Sequence, residues 1–318
     1  MQKVNHFLHV EWGGDSHAGR YAEKPDQLLR QVMYGANKKT TDSLFIEAAR
    51  QSKDGNWDES YACNLIDWHL KEQETMPWLT GSAQWTFKDF STPLRPGNPV
   101  PYVNQKGVVE RDGTKKESYY VFQSYWTTEP MVHIYGHNWP VRWGAEGEEK
   151  MIKVFSNCEQ AELFVNGKSY GKRIRNSLDF PAAGLRWNIP MTKGLYVVKV
   201  VAVKGKIVVT DSIRFEYQSA KWNKADHAQL EKIKEENDIV TVRVKLYDEK
   251  NILCLDSTNW VRFGLAGNGN MIDNQGTASG SRYVQLCNGV AIIRIRMNGG
   301  HSVLSASVEG VPVVFISQ

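Results

Sequence analysis

The run His6-Phe7-Leu8-His9-Val10-Glu11, followed at once by Trp12-Gly13-Gly14, constrains the fold more than any other feature of this chain. A short, largely apolar run suits a buried strand of the parallel kind, covered on both faces. The two glycines close it with a turn. Glu11 then stands at the C-terminal tip of the strand. A carboxylate there is costly unless something uses it or pairs with it. In (β/α)8 barrels the working side chains gather at those tips. A second segment, Gly81-Ser82-Ala83-Gln84-Trp85-Thr86-Phe87-Lys88-Asp89-Phe90, has the same grammar. It reads as a strand ending in aromatics and charge, then a proline-rich loop, then a helix. Two parallel strands near 6–11 and 81–87, adjacent and with helices on one side, are therefore expected.

Composition divides the chain into three zones. Eight of the 11 tryptophans precede residue 144, in a zone that mixes helices and strands. Glu23-Lys24-Pro25-Asp26 opens one helix, continuing through Leu28, Leu29 and Val32, with proline at its first position. Trp57 to Met76 reads as a second, with Ile66 and Leu70 on one face. Thr114-Lys115-Lys116-Glu117 reads as a capping box opening a third, from Ser118 to Trp126. The second zone, 131–217, is all-β. Its Asn166-Gly167 between Glu162–Val165 and Lys168–Tyr170 signals a type I′ hairpin, and Lys204-Gly205 marks another turn. Short strands at this spacing suggest an immunoglobulin-like sandwich. Residues 218–238, rich in lysine and glutamate, read as a linker or short helix. The third zone, 239–318, reads as a second sandwich. In it Ala291–Arg296, Asn298-Gly299 and His301–Val308 form an expected hairpin, and Gly264–Gly269 an expected loop.

Bulk properties exclude several functions. The 318 residues carry a net charge of only +4 with no long block of one sign, so nucleic acid is not an expected partner. No apolar stretch approaches the length of a membrane span. Cys63, Cys158, Cys254 and Cys287 lack CxxC spacing; Cys254 and Cys287 could pair, but free buried thiols are the plainer reading. His133 and His137 lie in a strand-like stretch, and no H-E-x-x-H occurs, so no metal is assigned. Met1–Asn5 lacks the apolar core of a signal peptide, and localisation stays open.

In their order along the chain these segments resemble the C-terminal part of glycoside hydrolase family 2. His9-Val10-Glu11-Trp12-Gly13 is similar to that family's motif around the nucleophilic glutamate, on the seventh barrel strand. Gly81–Phe90 looks like the eighth strand. Asn104-Gln105-Lys106-Gly107-Val108-Val109, Arg111-Asp112-Gly113 and Lys116-Glu117-Ser118-Tyr119-Tyr120 resemble the loop and last barrel helix. Glu162–Ser169 resembles the sandwich that follows the barrel, and Phe263–Gly267 with Met271–Asn274 a bacterial Ig-like module.

The resemblance implies a multidomain α/β plus all-β chain: a barrel remnant over 1–130, then two Ig-like sandwiches over 131–217 and 239–318. It implies Glu11 as nucleophile of a retaining β-glycosidase. Trp85 would be a sugar platform, with His9, Asp15, His17 and Arg20 near Glu11. Asn104 and Lys106 match a spacing that, in the family's glucuronidases, contacts the sugar carboxylate. In neutral-sugar members the lysine would instead pair with an acid such as Asp89 or Glu110, so a β-galactoside is expected ahead of a β-glucuronide. The family's acid/base glutamate, on the fourth barrel strand, has no counterpart here. A fragment is therefore expected, inactive alone, whose partners are carbohydrate, the missing half or a second copy. A non-catalytic carbohydrate-binding or interaction fragment is the other reading. No cofactor is expected, and a divalent cation stays open.

Overall fold

The computed structural model describes residues 6–23, 57–176, 184–272 and 281–317. Strands dominate, and the described residues contain two helices. The helix expected from Pro25 through Val32 lies outside the described residues. The chain divides into one unit of Met1–Leu94 and Val103–Ser219 and another of Arg95–Tyr102 and Ala220–Gln318.

In the first unit β1 (Phe7–Trp12) and β2 (Leu79–Gln84) pair in parallel, with His9 opposite Ser82 and Trp12 opposite Gln84. The two strands expected to be neighbours are neighbours. The expected burial is not seen: Phe7, Leu8 and Val10 are exposed, and only Trp12 of β1 is buried. A register break between His9 and Trp12 turns the Trp12 indole inward. There its Nε1 donates to Ser82 Oγ and its ring stacks on His69 at 5.0 Å.

Helix α1 (Glu59–Glu74) starts where the sequence says a helix should, because Asp58 caps it by accepting from Tyr61 N at 3.0 Å. Its apolar stripe of Ala62, Cys63, Ile66 and Leu70 is buried. Helix α2 (Glu117–Trp126) begins without the expected capping box: Lys116 is the N-cap residue and makes no side-chain cap bond. The side chains of Lys116 and Glu117 are drawn into the interior instead. Trp12, Tyr21, Ile66, Val121, Phe122 and Trp139 join one aromatic-rich core. Tyr125 Oη ties α2 to α1 by donating to Asp67 Oδ1 at 2.8 Å.

Beyond α2 two sheets face each other. One orders β10 (Gly184–Met191), β7 (Glu148–Ser156) and β5 (Val132–Ile134). The other orders β6 (Val141–Trp143), β12 (Ile207–Gln218), β11 (Gly194–Lys204), β8 (Gln160–Val165) and β9 (Lys168–Ile174). Alternating residues of both fill one core, with Ile152, Val154 and Trp187 facing Leu163, Val198, Val200 and Phe215. The β8–β9 hairpin turns at Asn166 and Gly167, both at positive φ (49° and 82°), the type I′ geometry expected from that dipeptide.

The second unit holds a sheet ordered β13 (Ala225–Glu236), β14 (Ile239–Asp248), β17 (Val290–Val308), β15 (Trp260–Met271) and β16 (Ser281–Gln285), with β18 (Val314–Ser317) on β17. Three expectations are corrected. The stretch expected as a linker, 218–238, carries β13, an edge strand. The expected hairpin at Asn298-Gly299 is one continuous strand, β17. Both its halves pair antiparallel with β15, Met271 opposite Ile295 and Val261 opposite Val308, so residues 298–301 bulge out without reversing the chain. Gly264–Gly269 lies inside β15 and is not a loop; only Gly267 takes positive φ (106°), and a Cβ there would stand 2.3 Å from His301 O. All four cysteines are free and buried.

Candidate active site

Glu11 sits near the end of β1 with its side chain 62% exposed. The facing group is Lys106, whose Nζ lies 3.7 Å from Glu11 Oε1. Lys106 belongs to the loop that follows the β3 (Phe90–Ser91) and β4 (Val103–Asn104) pair. That loop is tightly specified. Asn104 Oδ1 accepts from Lys106 N at 3.1 Å, and Lys106 O accepts from Thr86 N and Gln84 Nε2, each at 3.2 Å. The loop bearing Lys106 is thereby fastened to the end of β2. Asn104 spends its amide oxygen on this turn, which leaves Nδ2 as the group able to donate to a ligand.

The segment after Glu11 is fastened to the same loop. Ser16 N donates to Gln105 O at 3.0 Å, and the His17 Nδ1 and Gln105 Nε2 atoms are 2.9 Å apart. Asp15 and Arg20 are buried in this segment. Trp85 is 46% exposed and meets Phe90 edge-on at 6.0 Å, beside Asn104, which pairs with Phe90 across β3 and β4. The described contacts thus bring together Glu11, Lys106, Asn104 and His17, with Trp85 at the rim. His9 points elsewhere: its ring neighbours are Phe7, Trp12 and His69.

Beneath the loop lies a buried ion pair. Lys116 Nζ is 2.9 Å from Asp89 Oδ1, and both groups are enclosed. Burial pushes the Asp89 carboxyl up to about 6, against the opposing pull of Lys116. Asp89, one of the two acids considered as partners for Lys106, is therefore engaged by a different lysine. A second buried cluster joins the starts of the two helices. Glu117 accepts from Tyr21 Oη and Gly136 N and meets His133 Nε2 at 2.9 Å, while Glu59 accepts from Gly19 N and Glu117 N. Burial and then the Glu117 charge push Glu59 up to about 8. Burial also opposes ionisation of Glu117, but His133 and the surrounding donors outweigh it and hold that carboxyl down.

His133, His137 and Asp211 offer ligand atoms within 4.8 Å of one another. The His133 and His137 rings stack at 4.6 Å with planes 13° apart, and Tyr120 stacks on His133 at 3.5 Å. A metal lies in the plane of each imidazole it binds, so stacked rings suit the hydrogen-bonded arrangement seen, His133 on Glu117 and His137 on Asp211.

Known proteins are similar to this chain along most of its length. A family described as a domain of unknown function (DUF4982) matches residues 147–209, within the first pair of facing sheets. A putative β-glucuronidase of Formosa agariphila is 39% identical over 300 residues, 92% of this chain and 36% of that protein. A β-galactosidase of Bacteroides ovatus is 28% identical over 306 residues, 87% of this chain and 34% of that protein. The crystal structure of a Parabacteroides merdae β-glucuronidase with glycerol in its active site superposes with a TM-score of 0.85 at 56% identity. It covers 100% of this chain and 38% of its own. The chain is homologous to part of glycoside hydrolase family 2 enzymes. It spans about a third of the length of the curated relatives it matches.

Sequence reasoning named Glu11, Lys106 and Asn104, which the structure places close together, and did not single out Gln105 or Lys116. Gln105 sits between two motif residues and carried no signal of its own. Lys116 read as part of a capping box, and its burial beside exposed Thr114 and Lys115 is visible in the structure alone.

Proposed function

We propose that this chain carries the nucleophile and the sugar-recognising side of a retaining β-glucuronidase. The observation that carries the reading is the Lys106 ammonium 3.7 Å from Glu11, on a loop where Asn104 has an amide donor to offer. A uronide brings a carboxylate, and a lysine ammonium with a neighbouring amide can hold it. The neutral-sugar alternative had Lys106 paired with an acid such as Asp89 or Glu110; Asp89 is bonded to Lys116, and the acid facing Lys106 is Glu11. The weight therefore moves from β-galactoside to β-glucuronide, in line with the names of the Formosa and Parabacteroides relatives. A β-galactoside remains the second reading because of the Bacteroides ovatus relative.

In this reading β1 and β2 are the last two strands of a (β/α)8 barrel, and immunoglobulin-like sandwiches follow. The exposed Phe7, Leu8 and Val10 support it, because a parallel strand is ordinarily covered on both faces. The complementing barrel strands, in the same protein or as a separate chain, would cover them. Glu11 attacks the anomeric carbon, forms a glycosyl-enzyme and is released by water. Lys106 and Asn104 hold the sugar carboxylate, Trp85 offers its indole face to the apolar side of the ring, and Asp15 and His17 shape the wall. The second carboxyl, which stands about 5 Å from the nucleophile and protonates the leaving group, would come from the part of the fold these residues do not span.

The test uses the longer protein that contains this sequence, with aryl β-glucuronide and aryl β-galactoside as substrates. Glucuronide cleavage should be abolished in Glu11→Gln and selectively lost in Lys106→Ala. Cleavage of the galactoside alone, indifferent to Lys106, overturns the uronide assignment. Robust hydrolysis by residues 1–318 alone overturns the division of the catalytic pair.

A further inference from the structure

Lys116 is fully enclosed, and its three ammonium protons meet three acceptors: Asp89 Oδ1 at 2.9 Å, Ser16 O at 2.8 Å and Gln105 O at 2.9 Å. These acceptors belong to three separate stretches. Ser16 lies on the segment after Glu11, Asp89 follows β2, and Gln105 immediately precedes Lys106. Asp89 Oδ1 also accepts from Gly107 N at 2.8 Å, so the residues on both sides of Lys106 are tied to the same ion pair. A buried ammonium must satisfy all three donors, and two of the three acceptors used here are main-chain carbonyls flanking the site.

We propose that Lys116 is a positioning residue. It locks the main chain on either side of Lys106 to the segment after Glu11, and so sets where the Lys106 ammonium stands relative to the Glu11 carboxylate. The proposal rests on the reading of Glu11 as nucleophile and Lys106 as the sugar-carboxylate contact. Lys116 touches neither substrate nor reacting atoms. Its effect should therefore be on binding of the anionic sugar, with the chemical step altered much less.

The test compares Lys116→Met, Asp89→Asn and the double variant. Lys116→Met alone strands a buried carboxylate and is expected to fold poorly. The double variant removes both charges, and the amide oxygen that replaces the Asp89 carboxylate can still accept from Gly107 N. The first readout is amide hydrogen exchange on the 318-residue chain, which needs no activity. In the double variant, amides of residues 16–17 and 105–107 should exchange about tenfold faster or more, while those of β11 stay at the parent rate. The second readout, in the longer protein, is a rise of about tenfold in KM for aryl β-glucuronide with kcat changed much less. Parent-like exchange and KM in the double variant overturn the proposal and leave Lys116 as a stability pair only. If the unmodified longer protein cleaves no glucuronide, the function reading fails, and the exchange measurement alone decides whether Lys116 positions this loop.

Discussion

Replacing Gly107 with alanine should unseat the Lys106 loop, and the structure sets the size of the effect. A Cβ on Gly107 would lie 2.3 Å from Asp89 N, 2.5 Å from Asp89 Oδ1 and 2.6 Å from Lys88 C. Carbon makes comfortable contact at about 3.5–4.0 Å, so the loop must retreat by roughly 1 Å. Two of the three atoms are main chain and cannot rotate aside. They are also held from behind, because Asp89 N donates to Val109 O and Val108 N to Thr86 O. Overpacking of this kind costs about 1–3 kcal/mol. Retreat also breaks the Gly107 N bond to the Asp89 carboxylate, a charge-assisted bond worth about 1.5–3 kcal/mol. The two overlap, so the expected destabilisation is about 2–5 kcal/mol. Gly107 is not among the residues at positive φ, so the cost is steric and not one of backbone strain. The assay is urea unfolding followed by tryptophan fluorescence, since eight of the 11 tryptophans precede residue 144. Gly97→Ala is the control: nothing lies within 4 Å of its Cβ, and its change should stay within about 0.5 kcal/mol. A Gly107→Ala midpoint equal to that of Gly97→Ala would refute the reasoning.

Two further outcomes are expected. Glu59, with its carboxyl pushed up to about 8, favours the folded state fully below the ordinary range near 4.5 and loses that contribution as pH rises through 8. His137, raised by its bond to Asp211, acts in the same direction from 6.5 upward, so the melting temperature should fall between pH 5 and 8.5, and Glu59→Gln should flatten the slope; an unchanged slope counts against the carboxylate cluster as its source. Trp187→Ala, at a side chain only 2% exposed whose Nε1 donates to Gly171 O, should cost about 3–5 kcal/mol in chemical denaturation; a loss below 1 kcal/mol would mean the facing sheets do not share the core described.

Much of the fold was legible because local chemistry and tertiary context agree. α1 falls within the stretch read as helical from Trp57 to Met76, Asn166-Gly167 turns β8 into β9, and β1 and β2 lie side by side as their shared strand-to-glycine and strand-to-aromatic grammar implied. The failures arise where a partner far along the chain decides. Residues 225–236 look like a polar linker by composition, yet they form an edge strand. Glu231 pairs with Arg243 and Lys245 of the neighbouring strand, and at the exposed end of the edge strand Lys232 pairs with Glu235 and Lys234 with Glu236. Charge is how an edge strand resists pairing with another chain, so the composition that suggested a linker belongs equally to an edge. Asn298-Gly299 carries a strong local turn signal, but β15 runs alongside both halves of β17, so the segment bulges without reversing the chain.

The site divides along the same line. Glu11 announced itself because a strand tip followed by glycines exposes an acid, and Lys106 because its spacing from Asn104 is a local motif. Neither signal contains the 3.7 Å between them, which depends on where two loops nearly a hundred residues apart are held. The group holding them, Lys116, makes two of its three bonds to main-chain carbonyls, and every residue type has a carbonyl. A sequence therefore cannot name such acceptors, however conspicuous the lysine. The one side-chain partner, Asp89, was visible, but Lys88 beside it in sequence and Lys106 nearby were equally good candidates for its charge. Burial separates them. Lys116 is 1% exposed and must find acceptors for all its protons, whereas Lys88 is exposed and Lys106 keeps a quarter of its side chain in contact with solvent. The desolvated lysine takes the buried acid, and the lysine left facing Glu11 is, in the proposed reading, the one in a position to meet an anionic sugar.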